Sequence, residues 1–265
     1  MKTRRWPLYS LLAFGYAFLY VPVLLLVVYS FNASRLVTVW GGFSTHWYGE
    51  LLNNTQILDA AWLSIRIATV NATLATVLGT LAAMALVRAG RFRGRGGFEL
   101  LLTAPLVMPE VIVGLSLLLL FVAMQHSIGW PDGRGFTTIT IAHITFSMAY
   151  ATVVIRTRLA QMDRSLEDAA MDRGARPLVV YLRITLPLIA PALLSAWLLA
   201  FTLSLDDLVI ASFVAGPAST TLPMVVYSSV RLGVSPQINA LASLILLFVS
   251  LAVIVAGLAL ARKRD

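Results

Sequence analysis

Long apolar runs, separated by short polar segments, dominate the pattern of residues along this chain. Six blocks contain no Asp, Glu, Lys or Arg: 6–34, 67–87, 111–131, 136–155, 188–205 and 232–261. An α-helix needs about 20 apolar residues to cross the hydrocarbon core of a bilayer. The pattern therefore predicts one all-α domain over residues 1–265, a polytopic membrane protein with six transmembrane helices at roughly 8–31, 61–87, 100–124, 137–156, 188–212 and 237–261.

Composition supports the membrane class and removes several kinds of site. Of the residues, 59% are hydrophobic and 12% are charged, whereas a soluble domain carries about 25% charged residues. The absence of cysteine excludes disulfides, thiolate zinc sites and cysteine nucleophiles. The first apolar block is longer than the core of a signal peptide and lacks a small-residue cleavage site, so we interpret it as an uncleaved span.

Basic residues are concentrated on one side of the predicted membrane. Sixteen of the twenty Lys and Arg residues lie in the termini and in the loops after spans two and four, three lie in the other loops, and Arg66 lies within span two. The positive-inside rule predicts a multi-pass protein with both termini and both basic loops in the cytoplasm. Nucleic-acid binding is not expected, because it needs the basic residues on one folded face.

The first outer loop, about residues 32–60, is rich in aromatic side chains. Trp40, Trp47 and Tyr48 lie in it. Such residues are typical of the aromatic belt at a membrane interface. They could also form a docking surface for an external partner, and the two interpretations are compatible.

The segment 157–187 is too polar to span a membrane, and it contains helix-start and helix-stop signals. Ser165 followed by Asp168 fits a capping box. A short helix is predicted over 166–173, and Gly174 is expected to end it in the C′ position.

A second short helix is predicted after this glycine. Pro177 suits its first turn, and the helix runs through 178–182 until it meets Pro187. The first helix carries a small apolar ridge, which on the cytoplasmic side predicts contact with a partner protein. The residues of this ridge are Leu166, Ala169, Ala170 and Met171.

The same segment resembles a known sequence motif. Asp168-Ala169-Ala170, then Gly174, then Ile184 to Pro187, has the spacing of the EAA loop of bacterial ABC-importer permeases: E-A-A, three residues, G, nine residues, I-x-L-P. Asp168 stands where that family usually has Glu, and Glu167 precedes it. The resemblance assigns an ATPase-coupling role to Glu167, Asp168, Ala169, Ala170, Gly174, Ile184, Leu186 and Pro187.

The resemblance extends over nearly the whole chain and implies a set of partners. These are a second permease subunit that forms a heterodimer with this chain, two cytoplasmic ATPase subunits and a periplasmic or external solute-binding protein, in the bacterial inner membrane. In that family the EAA loop forms coupling helices that sit in a groove of the ATPase. A purely structural alternative is that Gly174, Pro177 and Pro187 only shape a re-entrant corner.

The chain lacks the elements of a nucleotide-binding site. A P-loop needs a lysine that reaches the β- and γ-phosphates, and the two lysines, Lys2 and Lys263, lie in the terminal tails. The glycine-rich stretch 93–97 carries no lysine and suits a basic loop near anionic lipid. We therefore expect no cofactor on this chain and ATP binding by a partner subunit.

Five ionisable residues lie within the predicted spans: Arg66, Glu110, His143, Asp206 and Asp207. Such residues are functional candidates, because placing them in a membrane is costly. In an unbroken helix Glu110 would lie about 15 Å from the inner face, and Asp206 about 27 Å from it. Three carboxylates against one arginine favour a pathway for cations.

The surroundings of these carboxylates resemble one group of permeases. The segments 108–112 and 204–213 are similar to the corresponding segments of polyamine permeases of the putrescine type. A diamine carries two ammonium groups, which carboxylates at different depths could receive in turn. The aromatic faces of Trp197, Phe201 and Tyr150 could add cation–π attraction.

Each of these residues also has a structural interpretation. Asp206 or Asp207 could balance Arg66 in an ion pair, and Glu110 could accept a hydrogen bond in a proline-broken helix. His143 is expected to form a hydrogen bond between helices rather than to bind a ligand.

Other classes of protein fit less well. An intramembrane hydrolase would need a catalytic pair, and two adjacent aspartates in a helix point about 100° apart. The three histidines lack zinc spacing. A stand-alone secondary transporter would show paired broken helices in two repeats. The alternatives that stay open are an ABC permease for another small solute and, less favoured, a secondary transporter.

Overall fold

The computed structural model of the protein describes residues 6–36, 39–90, 92–233 and 235–261; the side chains at 7, 8, 252, 253 and 255–261 are outside this description. The basic residues predicted to flank the first and last spans, and Arg91, lie outside the described residues. The helices are α1 Trp6–Tyr29, α2 His46–Asn53, α3 Thr55–Arg88, α4 Arg95–Val107, α5 Glu110–Ile128, α6 Phe136–Gln161, α7 Ser165–Asp172, α8 Pro177–Val180, a π-helical turn at Tyr181–Thr185, α9 Leu186–Leu205, α10 Val209–Val214, α11 Leu222–Leu232 and α12 Pro236–Ala261.

Within the described ranges, five helical segments are long and apolar enough to cross a membrane, and a sixth apolar helix, Pro236–Leu251, is shorter. The five are Tyr9–Tyr29, Thr55–Arg88, Glu110–Ile128, Phe136–Gln161 and the continuous segment Pro177–Leu205. Together with Pro236–Leu251, these five ranges overlap all six predicted spans.

Two predicted spans are broken, so their prediction as continuous helices over 100–124 and 188–212 is wrong. Span three stops at Val107 and resumes at Glu110. Pro109 explains this break, because proline disfavours the helical conformation of the residue before it, and Met108 is extended with φ −77° and ψ 138°. Span five stops at Leu205 and resumes at Val209.

The chain forms two compact units. One comprises the described residues of Met1–Leu58 and Val226–Asp265, and the other comprises Asp59–Val225. The organisation of residues 1–265 as one domain stays a prediction.

In the first unit, α12 packs against α1 and α2. Gln237, at the start of α12, connects this helix to α2 and to the residue after α2 through its side-chain amide. It donates to Oε2 of Glu50 at 2.7 Å and accepts from Asn54 Nδ2 at 3.1 Å. The hydrogen bond from Gln237 lowers the pKa of Glu50.

Two aromatic residues of the outer loop in this unit, Trp47 and Tyr48, form hydrogen bonds that stabilise the loop. Trp47 is 5% exposed and donates through Nε1 to the carbonyl of Asn32 at 2.6 Å. The hydroxyl of Tyr48 shares a hydrogen bond of 2.7 Å with Ser30 Oγ. Because Trp47 is buried, its interpretation as a belt or docking residue is wrong. Trp40, in contrast, is exposed.

In the second unit, α6 is the central helix and packs against α4, α5, α9 and α10. Small residues let helices approach closely in membrane proteins. One such approach joins α3 and α6 at Gly79, where an added Cβ would lie 3.0 Å from both the Cβ of Ala151 and the backbone nitrogen of Thr152. Asn71 of α3 adds polar contacts by donating to the carbonyl of Ala200 at 2.8 Å and to Ser147 Oγ at 3.2 Å.

We expect Gly79→Leu to destabilise the protein by about 1–3 kcal/mol, the usual cost of overpacking a close contact. The measurement is thermal unfolding of the purified protein in detergent. Gly15→Leu is the control, because Gly15 also lies within a helix but an added Cβ there meets nothing within 4 Å. Equal unfolding temperatures for the two variants would contradict the close approach at Gly79.

Candidate coupling loop and membrane pathway

The C-terminal end of α7 has the predicted glycine stop. Gly174 has φ +84°, a left-handed conformation that favours glycine. Its N–H donates to the carbonyl of Met171 at 2.8 Å, and the N–H of Ala175 donates to the carbonyl of Ala170 at 3.1 Å. These two bonds form a Schellman motif, and the predicted C′ position of Gly174 is confirmed.

The N-terminal end of α7 differs from the prediction. The helix begins at Ser165 itself, and no side chain caps it from the preceding position, so the capping box of Ser165 and Asp168 is wrong. Asp163 takes over the role of a local acceptor, because its Oδ1 accepts the N–H of Ser165 at 2.9 Å. This hydrogen bond lowers the pKa of Asp163.

The segment after Gly174 does not form a separate second helix. Pro177 occupies the first turn of α8, as predicted, but α8 continues through the π-helical turn into α9. The N–H of Leu186 donates to the carbonyl of Tyr181, five residues earlier. Because Pro187 has no N–H and its ring clashes with the carbonyl four residues before it, the wider π-helical turn accommodates the proline without breaking the helix.

The predicted coupling residues fall into two groups. The short helix α7 has no buried residue, and Asp168, Ala169 and the rest of the apolar ridge are exposed or only partly covered. Ile184 and Leu186 are partly buried at the base of α9, and Pro187 is exposed. In the structure, α7 is therefore exposed to solvent, whereas the C-terminal part of the motif lies at the start of a span.

Glu167 differs from its neighbours on α7, because its side chain turns towards the rest of the unit. Its carboxylate forms an ion pair with Arg88, the last residue of α3, with 3.1 Å between Oε2 and Nε. Its Oε1 accepts hydrogen bonds from Arg88 Nη2 at 3.3 Å and from Thr185 Oγ1 at 2.6 Å. Sequence reasoning did not find this cluster, because its members are 79 and 18 residues apart.

Asp207 pairs with His143 rather than with Arg66. His143 Nε2 lies 3.0 Å from Asp207 Oδ2, and His143 Nδ1 lies 2.7 Å from Ser204 Oγ. The side chains of His143 and Asp207 are 3% and 8% exposed. The guanidinium of Arg66 instead lies 5.2 Å from the centre of the Phe136 ring, so an ion pair of Asp207 with Arg66 is wrong and the helix-linking role of His143 is confirmed.

The same carboxylate also begins α10. Asp207 accepts the N–H groups of Ile210 at 3.2 Å and Ala211 at 2.7 Å. Asp206 and Asp207 lie between α9 and α10 rather than inside a helix, so the helical angle assumed between them is wrong. An aspartate that bonds nearby backbone N–H groups competes with helix continuation, which explains the break.

Two other carboxylates at the helix breaks are exposed. Glu110 is the first residue of α5, and Asp206 directly follows α9; both are exposed. The depth expected for Glu110 assumed one unbroken helix over span three and does not follow from the observed break. Its negative charge lies at the N-terminal end of α5, which the helix dipole favours.

The aromatic candidates form two separate pairs. Trp197 and Phe201 stack with 5.3 Å between their ring centres, and Trp197 Nε1 donates to Thr73 Oγ1 at 3.2 Å. The ring centres of Tyr150 and Phe146, both on α6, lie 5.2 Å apart. In the described part of the chain, no group of three His, Cys, Asp or Glu side chains could hold a metal ion.

Residues 75–263 match the family described as the binding-protein-dependent transport system inner membrane component. The chain belongs to this family. The predicted resemblance to ABC-importer permeases is confirmed, and the family consists of transport components rather than enzymes. The matched residues include α7, Gly174 and the start of α9.

Two curated relatives of this permease are similar over most of their length. The putrescine transport system permease protein PotI of Escherichia coli (strain K12) is 64% identical over 236 residues, which are 89% of this chain and 84% of PotI. The spermidine/putrescine transport system permease protein PotC of the same strain is 41% identical over 249 residues, 94% of this chain and 91% of PotC.

Solved structures with the same fold include permease-containing transporters. A bacterial ABC transporter for import of the acidic polysaccharide alginate has a TM-score of 0.72 at 16% identity and covers 98% of both chains. The MetNI methionine ABC transporter has a TM-score of 0.61 at 14% identity, covering 79% of this permease and 96% of that chain. These similarities confirm the predicted all-α membrane fold.

Proposed function

We propose that this permease is a transmembrane subunit of an ATP-driven importer that moves putrescine-like polyamines across the inner membrane. The observation that carries the proposal is the 64% identity to a putrescine transport permease over 89% of the chain. The exposed carboxylates of Glu110 and Asp206 at the helix breaks support a cationic solute, because an ammonium group is attracted to unpaired negative charge.

The carboxylates have different roles in this proposal. Asp207 is engaged by His143 and by the start of α10, so it shapes the break between α9 and α10. Asp206 and Glu110 are exposed and are the groups that attract the ammonium groups. Trp197, Phe201 and Tyr150 add aromatic faces for cation–π contact along the pathway.

The energy for transport comes from other subunits in this proposal. Two cytoplasmic ATPases bind ATP, and one of them docks on the exposed face of α7. A second permease subunit completes a heterodimer in the membrane, and an external binding protein delivers the solute. Both termini lie in the cytoplasm, as the excess of basic residues in the corresponding loops favours.

Uptake assays and copurification test the substrate and the energy source of transport separately. A strain that lacks this permease is complemented with it and supplied with radiolabelled putrescine, spermidine or an unrelated neutral solute. We expect restored uptake of putrescine and copurification of an ATPase with the permease. Uptake of the neutral solute alone would reject the polyamine assignment, and putrescine uptake without an ATPase would favour a secondary transporter.

We expect Glu110→Gln and Asp206→Asn each to reduce putrescine uptake about tenfold while the assembled complex persists. The neutral side chains keep the size but remove the charge, and hydrogen bonds to charged groups are worth about 1.5–3 kcal/mol. Initial uptake rates at subsaturating putrescine measure the effect. The control is Asp132→Asn, which removes an exposed carboxylate from the loop between α5 and α6. If uptake in these two variants falls no more than in the control, neither Glu110 nor Asp206 belongs to the pathway.

A further inference from the structure

We propose that Glu167 is a positioning residue that connects the coupling helix α7 to two membrane-spanning helices and so transmits movement of α7 to them. The inference rests on the proposed function, since it presupposes that an ATPase docks on α7. It assigns Glu167 a role within the permease, separate from the neighbouring Asp168, which is exposed on α7.

The contacts of Glu167 join three elements at one carboxylate. Arg88 ends α3, and its guanidinium meets both carboxylate oxygens, at 3.1 Å and 3.3 Å. Thr185 closes the π-helical turn at the base of α9, and its hydroxyl donates to the same carboxylate at 2.6 Å. The contact through Nη2 is a hydrogen bond, whereas Nε lies within ion-pair distance but has no hydrogen-bond partner among the described residues. The pair is therefore one charge-assisted hydrogen bond with added charge attraction.

This cluster is largely shielded from solvent. The side chains of Arg88 and Glu167 are 17% and 12% exposed, and Thr185 is 3% exposed. They line a cleft together with Met84, Met171 and other side chains of α3, α6 and α8. Because such a site is shielded from water, the charges are screened less than those of an exposed pair.

Apart from Glu167, α7 has few polar contacts with the rest of the unit. The helix contains no buried residue within the part of the chain that the structure describes, and it packs against α8 and the π-helical turn. Arg164 adds one contact beside its start, from Nη2 to the carbonyl of Arg88 at 3.5 Å. Both attachments lead to the end of α3, which indicates that a displacement of α7 acts on this helix and on the base of α9.

A π-helical turn next to this carboxylate fits the role. Such turns occur often at functional sites, where the hydrogen-bond register of a helix is locally loosened. Thr185 lies in that turn, so the Glu167 contact holds the part of α9 that can change its register. Loss of the contact should leave α7 able to bind an ATPase, because the exposed ridge is unchanged, but should weaken the connection to the spans.

The experiment uses the complete complex in proteoliposomes, loaded with the binding protein and radiolabelled putrescine, and measures solute taken up per ATP hydrolysed. We expect Glu167→Gln to retain the ATPase and to hydrolyse ATP while this ratio falls about tenfold, within the range of allosteric coupling. Asp132→Asn, an exposed acidic residue in the loop between α5 and α6 and away from the docking face of α7, is the control and should keep the wild-type ratio. An unchanged ratio in Glu167→Gln would overturn the proposal.

A charge swap keeps the proposal testable if the single variant assembles poorly. The double variant Arg88→Glu with Glu167→Arg restores opposite charges at the same two positions, and we expect it to recover at least part of the ratio lost in Arg88→Glu alone. No recovery in a swap variant that assembles would overturn the proposal. If the wild-type permease itself copurifies with no ATPase, the proposed function fails instead, which distinguishes the two failures.

Discussion

Replacing Gly174 with leucine is expected to leave the permease in the membrane and to abolish most putrescine uptake. The backbone at this position has φ +84°, and a side chain in the left-handed conformation costs about 1–2 kcal/mol. An added Cβ would meet nothing within 4 Å, so the cost is confined to the backbone. A protein stable by about 5–15 kcal/mol tolerates it.

For uptake, the change in the geometry of the turn matters more than the loss of folding free energy. The Schellman motif at Gly174 sets the direction in which the chain leaves α7 and enters α8. Relief of the strain would redirect this turn and displace the exposed face of α7 from its ATPase. We expect at least about a tenfold loss of uptake, which corresponds to about 1.4 kcal/mol of lost coupling.

Gly129→Leu is the matched control for this experiment. Gly129 follows α5, also has a left-handed backbone at φ +71°, and likewise has open space around an added Cβ. It carries the same strain at a helix end far from α7 in the sequence. If Gly174→Leu transports as well as Gly129→Leu does, with equal amounts of protein in the membrane, the assignment of this loop to coupling is wrong.

Removing the carboxylate of Asp207 is expected to be the most destabilising single change considered for this permease. In Asp207→Ala, the nearly buried His143 loses its partner at 3.0 Å, and the N–H groups of Ile210 and Ala211 lose their acceptor. A hydrogen bond to a charged group is worth about 1.5–3 kcal/mol, and a lost helix cap costs about 0.5–2 kcal/mol. We expect a total loss of about 3 kcal/mol, read from unfolding of the purified permease in detergent.

A double-mutant cycle tests the partner of Asp207. Residues in direct contact show non-additive effects, whereas distant residues without a shared partner add. We therefore expect Asp207→Ala and His143→Phe to be non-additive by at least about 0.5 kcal/mol. Asp207→Ala and Arg66→Gln should add, because Arg66 lies over Phe136 instead. Coupling to Arg66 and additivity with His143 would reverse this assignment.

The positions of the apolar helices and of the polar segment 157–187 were predictable from the sequence, because both depend on local properties. A membrane span needs a long apolar run, and every predicted span overlaps an apolar helix. The stop at Gly174 was equally predictable, since only glycine readily adopts the left-handed conformation that ends a helix in this way. The break at Pro109 also has a local cause, although the predicted span ran through it.

The tertiary structure alone decided which polar groups meet. Asp207 could have balanced Arg66 by charge, but it lies against His143, 64 residues away in the sequence. Glu167 belongs to the coupling motif by sequence, yet its carboxylate contacts Arg88 and Thr185. Residue type determines that a shielded charge needs a partner, whereas the partner itself is determined by which helices pack together, a property of distant segments that no local pattern contains.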